Sequence, residues 1–322
     1  MKLSILIVSY NSAGLLDALI PRLHEELDAL DNEIVVVDNA SPDGSAERLA
    51  AWEHLIHLVA SPVNLGFAAG VNLAASRARG DMLLLLNPDA VPLPGSIREG
   101  LALMDAHPAV GMGGGVLMSP DGQLQPSARM FPTLLDELFT LSGLATRHPT
   151  HRLFGRLDRR WADPMQAAQV DWIPGAFVFI PRVVFLGLGG FDERFFMYYE
   201  EVDFCRRLRD MGLHVQYWPC LKATHIGGVS ARSAAKGRVS RAGSQLERWR
   251  MRSALLYYRK QHGWWAAAGW CLLETSWHRL RQLRAWMRGQ QERRREWAQH
   301  CEEVWQAWTE TGGGQRSPAR PW

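Results

Sequence analysis

The sequence is poor in everything that would mark a disulfide scaffold, a membrane-spanning chain or a dinucleotide enzyme. Its 322 residues include only four cysteines (Cys205, Cys220, Cys271, Cys301), and no two form a CxxC pair. That spacing excludes a disulfide framework and a zinc ribbon, and fits reduced thiols in a cytoplasmic setting. No apolar run reaches the ~20 residues needed to cross a bilayer. The nearest, WWAAAGWCLL at 264–273, is about half as long as that. The opening MKLSILIVSYN is shorter than a signal-peptide core and turns polar at Ser9, so it is expected to be a buried strand. Where a Rossmann dinucleotide site needs GxGxxG, this chain has SYNSAG, which counts against NAD or FAD. Internal repeats are absent.

What the chain does have is enough apolar material for a sizeable core, with 47% hydrophobic and 21% charged residues. Its net charge of +3 is unevenly spread. Between Arg232 and Arg295 lie sixteen Lys/Arg residues and three acids, Glu247, Glu274 and Glu292. Many of the fourteen tryptophans fall in the same region. A basic, tryptophan-rich tail suits an anionic membrane surface, apolar on one side and wet on the other, better than a nucleic acid. A solvated helical hairpin packed on the domain explains the same composition equally well.

The first ninety residues alternate two patterns. LSILIVS (3–9), EIVVVD (33–38), LIHLVA (55–60) and MLLLLN (82–87) read as strands buried on both faces. Helical stretches at 12–30, 44–52 and 67–79 separate them. This βα alternation predicts an α/β fold with a mostly parallel sheet flanked by helices. Ligands in such sheets bind beyond the carboxyl ends of the strands. Further along, 110–118 and GAFVFIP (175–181) read as strands, and 119–170 as an excursion or lid with a short helix over 134–141. HVQYWP (214–219) reads as one more strand, and the glycine-rich end from 311 as disordered.

The strand ends carry the candidate chemistry, each with a plainer alternative. Asp89 stands just past LLLLN in a turn stiffened by Pro88, where a carboxylate can hold a divalent cation beside a phosphate. Asn87-Pro88-Asp89 is also an ordinary turn sequence, and alone that explanation is slightly stronger. Asp38 can accept hydrogen bonds from a nucleotide, or serve as a turn acid. Small residues from Asn64 to Asn72 admit a ligand or, more simply, tight helix–sheet packing. His225 can be a metal ligand or a surface histidine. In RFFMYYEEVDFCRRL (194–208), three acids begin a helix, where the macrodipole favours them by ~0.3–1 kcal/mol each. The five aromatic or apolar residues before them would also raise a carboxylate's proton affinity and make it a better base.

Taken together, VSYN (8–11), VVVDNASPDGS (35–45), NLGFAAGVN (64–72), LLLLNPDA (83–90), DWIPGAFVFIPR (171–182) and GGFDERFFMYYEEVDFCRRL (189–208) resemble the family 2 glycosyltransferases, in their rhamnosyltransferase-like branch. The resemblance covers roughly 3–230. It implies a GT-A fold over 1–230; beyond that the resemblance fades, and composition predicts a basic helical extension over 231–310 and a disordered tail over 311–322. The resemblance implies a nucleotide-sugar donor and a saccharide or lipid-linked acceptor in cell-surface polysaccharide synthesis, with Mg²⁺ or Mn²⁺ as cofactor. Ser9, Tyr10, Asn11, Asp38, Asn64, Gly66, Asn87, Gly175 and Ala176 would line the donor site. Asp89 and His225 would hold the metal, and Trp172 and Glu200 would meet the acceptor. The family's catalytic aspartate falls at Glu201, with Asp203 as the other candidate base. The expected reaction is an inverting transfer, with rhamnose from dTDP-rhamnose as donor. Galactofuranosyl, glucosyl or N-acetylhexosaminyl transfer from UDP is the alternative, as is a silent sugar-nucleotide-binding scaffold. The chain is expected in the cytoplasm, peripheral on the inner face of the plasma membrane.

Overall fold

A computed structural model describes residues 2–226 and 239–318, with side chains of the second stretch described from 245 onward. The chain opens with β1 (Leu3–Ser9), α1 (Ala13–Leu27), β2 (Asn32–Asp38), α2 (Ser45–Ala50), β3 (His57–Ala60), α3 (Phe67–Arg77) and β4 (Met82–Leu86). Next come β5 (Ala90–Pro92), α4 (Ser96–Ala106), β6 (Val110–Met118), β7 (Leu124–Gln125), α5 (Leu134–Ser142) and α6 (Leu144–Arg147). They are followed by β8 (Ala168–Val170), β9 (Phe177–Pro181), α7 (Arg182–Gly187), α8 (Glu200–Asp210) and β10 (His214–His225). The last three helices are α9 (Val239–His262), α10 (Trp264–Met287) and α11 (Gln291–Thr311).

Successive side chains of β1 serve different cores. Leu3, Ile5 and Ile7 are buried in one apolar cluster with α1 and α4, while Leu6 belongs to a second cluster with α3 and α8. A strand covered on both faces needs apolar residues at every position, which is why these runs do not alternate in hydropathy. Strand order is β3-β2-β1-β4-β9-β6-β10-β5. The parallel expectation holds from β3 to β4. Beyond it the sheet is mixed, because β9 inserts antiparallel to both β4 and β6, and β5 runs antiparallel to β10. Gly115 in β6 shows why its glycines are needed: a Cβ there would stand 2.0 Å from the Leu221 carbonyl oxygen, beside a register shift in β10.

The C-terminal helices are no separate body. Met251, Leu255, Tyr257, Trp270 and Val304 lie in the same buried cluster as Phe195, Val202 and Phe204. The expected division after 230 is therefore not a division of the core, and the boundary itself lies outside the described residues. The expectation of disorder from 311 is also corrected as far as Pro318. There Gly314 approaches the backbone of Leu255 so closely that a Cβ would lie 2.2 Å from its oxygen, and the Gly314 N–H donates to Thr311 Oγ1 at 3.0 Å. Residues 319–322 lie outside the described residues. Among the described residues, no helix is long and apolar enough to cross a membrane.

Candidate active site

The carboxyl ends of β1 and β2 form a polar shelf whose side chains hold one another. Ser9 is fully buried, and its Oγ lies 2.9 Å from Ser12 Oγ. Asp38 accepts from the Ser41 hydroxyl at 2.6 Å and the Ser41 N–H at 3.1 Å. The same Ser41 hydroxyl accepts the Asn11 N–H at 3.0 Å. Asn11, next to Tyr10, takes a left-handed φ of 52° that turns the chain off the strand.

Asn39, beside Asp38 at the end of β2, ties the shelf to the next loop. Its amide donates to Asn64 Oδ1 and to the Gly66 carbonyl, both at 3.1 Å, and its oxygen accepts the Leu65 N–H at 2.8 Å. The Gly66 N–H returns to Asn64 Oδ1 at 2.9 Å. Gly66 has φ +81°, and a Cβ there would fall 2.3 Å from the Phe196 carbonyl oxygen. The Phe67 N–H donates to that oxygen at 2.7 Å. The Asn64–Gly66 loop and the segment before the acidic helix thus meet backbone to backbone.

At the end of β4, the Asn87 N–H bonds the Ala176 carbonyl at 3.0 Å and fixes the Gly175-Ala176 turn beside it. A Cβ added at Gly175 would meet the Phe67 ring at 3.6 Å, an ordinary van der Waals distance. Two residues after Asn87 comes Asp89, 8% exposed. The pairing of β5 with β10 sets Ala90 opposite His225, and the imidazole Nε2 lies 3.4 Å from Asp89 Oδ1. Gln125, which the sequence reading missed, contacts His225 Nδ1 through its Oε1 at 2.8 Å and donates to the His225 carbonyl at 2.7 Å. Such an outer partner fixes which ring nitrogen is free to bind a metal. Among the described residues no third acidic, histidine or cysteine ligand joins the pair. A two-residue set fits an ion that keeps water and takes diphosphate oxygens, as Mg²⁺ and Mn²⁺ do.

The acidic segment forms the opposite wall. Tyr198 and Tyr199 both have positive φ, 71° and 68°, immediately before α8. Left-handed backbone at two bulky residues costs of order 1–3 kcal/mol each and persists only where the surroundings enforce it. The enforcement comes from α5 and α9. Phe196 stacks on Trp249 at 4.2 Å, and Ser253 Oγ donates to the Met197 carbonyl at 2.7 Å. The Tyr199 hydroxyl bonds buried Glu137 of α5 at 3.3 Å, as does Tyr258 of α9.

Glu200 and Glu201 follow at the start of α8. Each has an Oε2 that is fully covered yet has no hydrogen-bond partner among the described residues. Burial pushes the Glu200 carboxyl well above the usual carboxylate range, and the charge of Glu201 adds to the rise. Burial also raises Glu201, opposed by the backbone N–H groups of Glu201, Val202 and Gly175 and by the Arg129 guanidinium. A carboxylate with raised proton affinity is the form a general base needs. Trp172, 7% exposed, lies beneath Arg129 at 4.5 Å and uses its indole N–H on the Met130 carbonyl at 2.9 Å. Only its ring is left for an acceptor.

Asp203 is corrected. Its side chain has no exposed surface and is bonded by Arg207 Nε at 2.9 Å, Lys260 Nζ at 2.8 Å and Gln261 Nε2 at 2.8 Å. With no exposed surface and three donors on its two oxygens, it offers an acceptor hydroxyl no open face. It is a clamp between α8 and α9.

Comparison with known proteins agrees with this geometry. The sequence profile of glycosyl transferase family 2 matches residues 4–158. An N-acetylglucosaminyl-diphospho-decaprenol L-rhamnosyltransferase of Mycobacterium tuberculosis is 28% identical over 248 residues, covering 73% of this chain and 77% of that one. Rhamnosyltransferase WbbL of Escherichia coli is 29% identical over 137 residues, 42% of this chain and 45% of its own. In architecture the chain is similar to the mannosyltransferase PcManGT of Pyrobaculum calidifontis, with TM-score 0.52, 16% identity and coverage of 96% and 86%. TarS 1–349 of S. aureus gives TM-score 0.50 at 14% identity, covering 98% and 92%. The chain thus has a GT-A architecture, is similar over residues 4–158 to glycosyl transferase family 2, and is similar at 28–29% identity to two rhamnosyltransferases.

Proposed function

We propose that this glycosyltransferase moves rhamnose from dTDP-rhamnose to a hydroxyl of a glycan or lipid-linked saccharide by one inverting displacement. The observation that carries the reading is Glu201: a covered carboxylate of raised proton affinity, with one oxygen unpartnered among the described residues, beside Gly175. Glu201 accepts the acceptor hydroxyl proton as that oxygen bonds to the anomeric carbon. The bond from that carbon to the nucleoside diphosphate breaks, and the diphosphate leaves with the electron pair. Glu200 and Trp172 orient the acceptor; the shelf from Ser9 to Asp38 and the Asn64–Gly66 loop hold the nucleotide, with Tyr10 and Asn11 at its edge. Asn87, Gly175 and Ala176 border the sugar.

Asp89 and His225 would hold Mg²⁺ or Mn²⁺, a set that fits such an ion; the PcManGT structure contains Mn²⁺ with GDP-Man. When bound, the ion supplies positive charge to the departing diphosphate. The rhamnosyl donor and lipid-linked acceptor are supported by the activity for which the mycobacterial relative is named. The basic tryptophan-rich helices would bring the enzyme to the inner face of the membrane where such an acceptor is presented.

The deciding experiment is a donor panel, reading nucleoside diphosphate release from dTDP-rhamnose and from UDP-linked galactofuranose, glucose and N-acetylhexosamines, with and without chelator. Release from dTDP-rhamnose that chelator stops is the expected result. Turnover of a UDP-sugar alone would replace the donor, full turnover in excess chelator would remove the metal, and binding without release would make the protein a silent scaffold.

A further inference from the structure

Helix α10 is apolar on two sides, and only one of them is covered. Inward, Ala267, Trp270, Cys271 and Ala285 are buried. Outward, Trp265 is 82% exposed, Leu272 57%, Leu283 49%, Trp286 60% and Met287 64%. At about 100° per residue these five fall within roughly 60° of a common line running about 33 Å along the helix. One-sided amphipathicity would need polar residues there, so this stripe has another partner.

Its chemistry is set by charge. From Arg279 to Arg295 the sequence has seven arginines and one acid, Glu292. Arg279 and Arg284 are exposed along α10, Arg288 just past its end, and Arg293, Arg294 and Arg295 at the start of α11. A second copy of the chain would set this patch against itself in a two-fold dimer, arginine facing arginine. An anionic surface with an apolar interior suits both halves of the composition.

We propose that the outward face of α10 lies in the plane of an anionic lipid surface, its tryptophans and aliphatic side chains entering the headgroup region and its arginines meeting lipid phosphates. This rests on the membrane-presented acceptor above and names the face that reaches it. The inner side of α10 packs on α5: a Cβ added at Gly269 would meet the Leu134 side chain at 3.1 Å, and Arg281 donates to the Leu141 carbonyl at 2.7 Å. Because α5 also carries Glu137, which bonds Tyr199, the docked face lies about two helix diameters, ~20 Å, from the catalytic carboxylates.

The test is flotation of the full chain with vesicles of phosphatidylcholine alone or mixed with phosphatidylglycerol. The intact protein should bind the anionic vesicles at least about tenfold better. The combined Arg279→Gln, Arg284→Gln and Arg288→Gln variant should lose that preference, and the combined Trp265→Ser, Leu283→Ser and Trp286→Ser variant should lose binding to both. Unaltered thermal unfolding and donor turnover with a soluble acceptor would show that the variants remain folded. The proposal is overturned if the intact protein stays with the unfloated fraction, if the variants float like it, or if light scattering shows a dimer that the apolar variant dissolves. Should donor turnover be absent while flotation follows the pattern above, the docking face stands and the transfer reading falls.

Discussion

The two walls of the cleft are built on opposite plans. On the side proposed to hold the nucleotide, Ser41 bonds Asp38 and Asn39 bonds Asn64, so the shelf holds its own polar groups. On the carboxylate side, Glu200 and Glu201 are covered with an oxygen each left unpaired among the described residues, after two left-handed tyrosines. The first wall comes from local turns at strand ends. The second is imposed from a distance, by α5 and α9. Binding surfaces can be self-contained, whereas a reactive carboxylate needs an environment that water would ruin, and that environment takes more of the chain to build.

The comparison breaks most sharply at Glu201. Glu201→Gln should lower transfer by about 10³-fold while leaving donor affinity intact. Turnover within tenfold of the parent in a diphosphate-release assay would remove Glu201 as base. Because folding raises the Glu201 proton affinity, the parent should lose stability as pH rises from the ordinary carboxylate range through the raised value. Its activity should rise over the same interval. In the Gln variant the Glu201 part of that stability loss should disappear, which denaturant titrations at several pH values would reveal.

Asp203→Ala sharpens the contrast from the other side. It strands Arg207, Lys260 and Gln261 around an empty site, and chemical denaturation should show a loss of about 3 kcal/mol. The molecules that remain folded should keep the parental pH–rate profile; a displaced profile would return Asp203 to the catalytic group. Gly66→Ala tests the seam between the walls. Its Cβ cannot share space with the Phe196 carbonyl, so stability should fall by roughly 1–3 kcal/mol and donor KM should rise. An unchanged KM would mean the seam does not shape the donor site. The smallest effect is expected at Gln125→Ala, where metal affinity should drop about tenfold while the fold is preserved. Calorimetry with Mn²⁺ that gives parental affinity would leave His225 without need of its outer partner.

The N-terminal half of this fold was readable because its signals are local. Buried parallel strands announce themselves as continuous apolar runs, and the residues where β1, β2 and β4 stop are the ones that frame the shelf. The antiparallel strands were harder. β5 is three residues long and β7 two, with no pattern to mark them, yet they bring Asp89, His225 and Gln125 together. The triplet of acids in α8 was legible as chemistry but not in its division of labour. Helical spacing turns Asp203 inward toward Lys260, and that partner lies 57 residues later in the sequence. Nor could the aromatic run before α8 be parsed, since its left-handed tyrosines depend on contacts with Glu137 and Ser253. The basic tail gave its composition but not its inward face, which joins the main core.

The clasp of α9 on the aromatic segment has a consequence for any attempt to transplant this activity. The region matched by the family profile, 4–158, carries the nucleotide shelf and Asp89 but neither carboxylate of α8 nor the helix that braces them. Under the proposed roles, moving that block into another scaffold would carry the nucleotide shelf but leave Gly175, Ala176, His225 and the proton acceptor behind. A working chimera has to inherit α9 together with α8, because those two helices arrive as a pair or not at all.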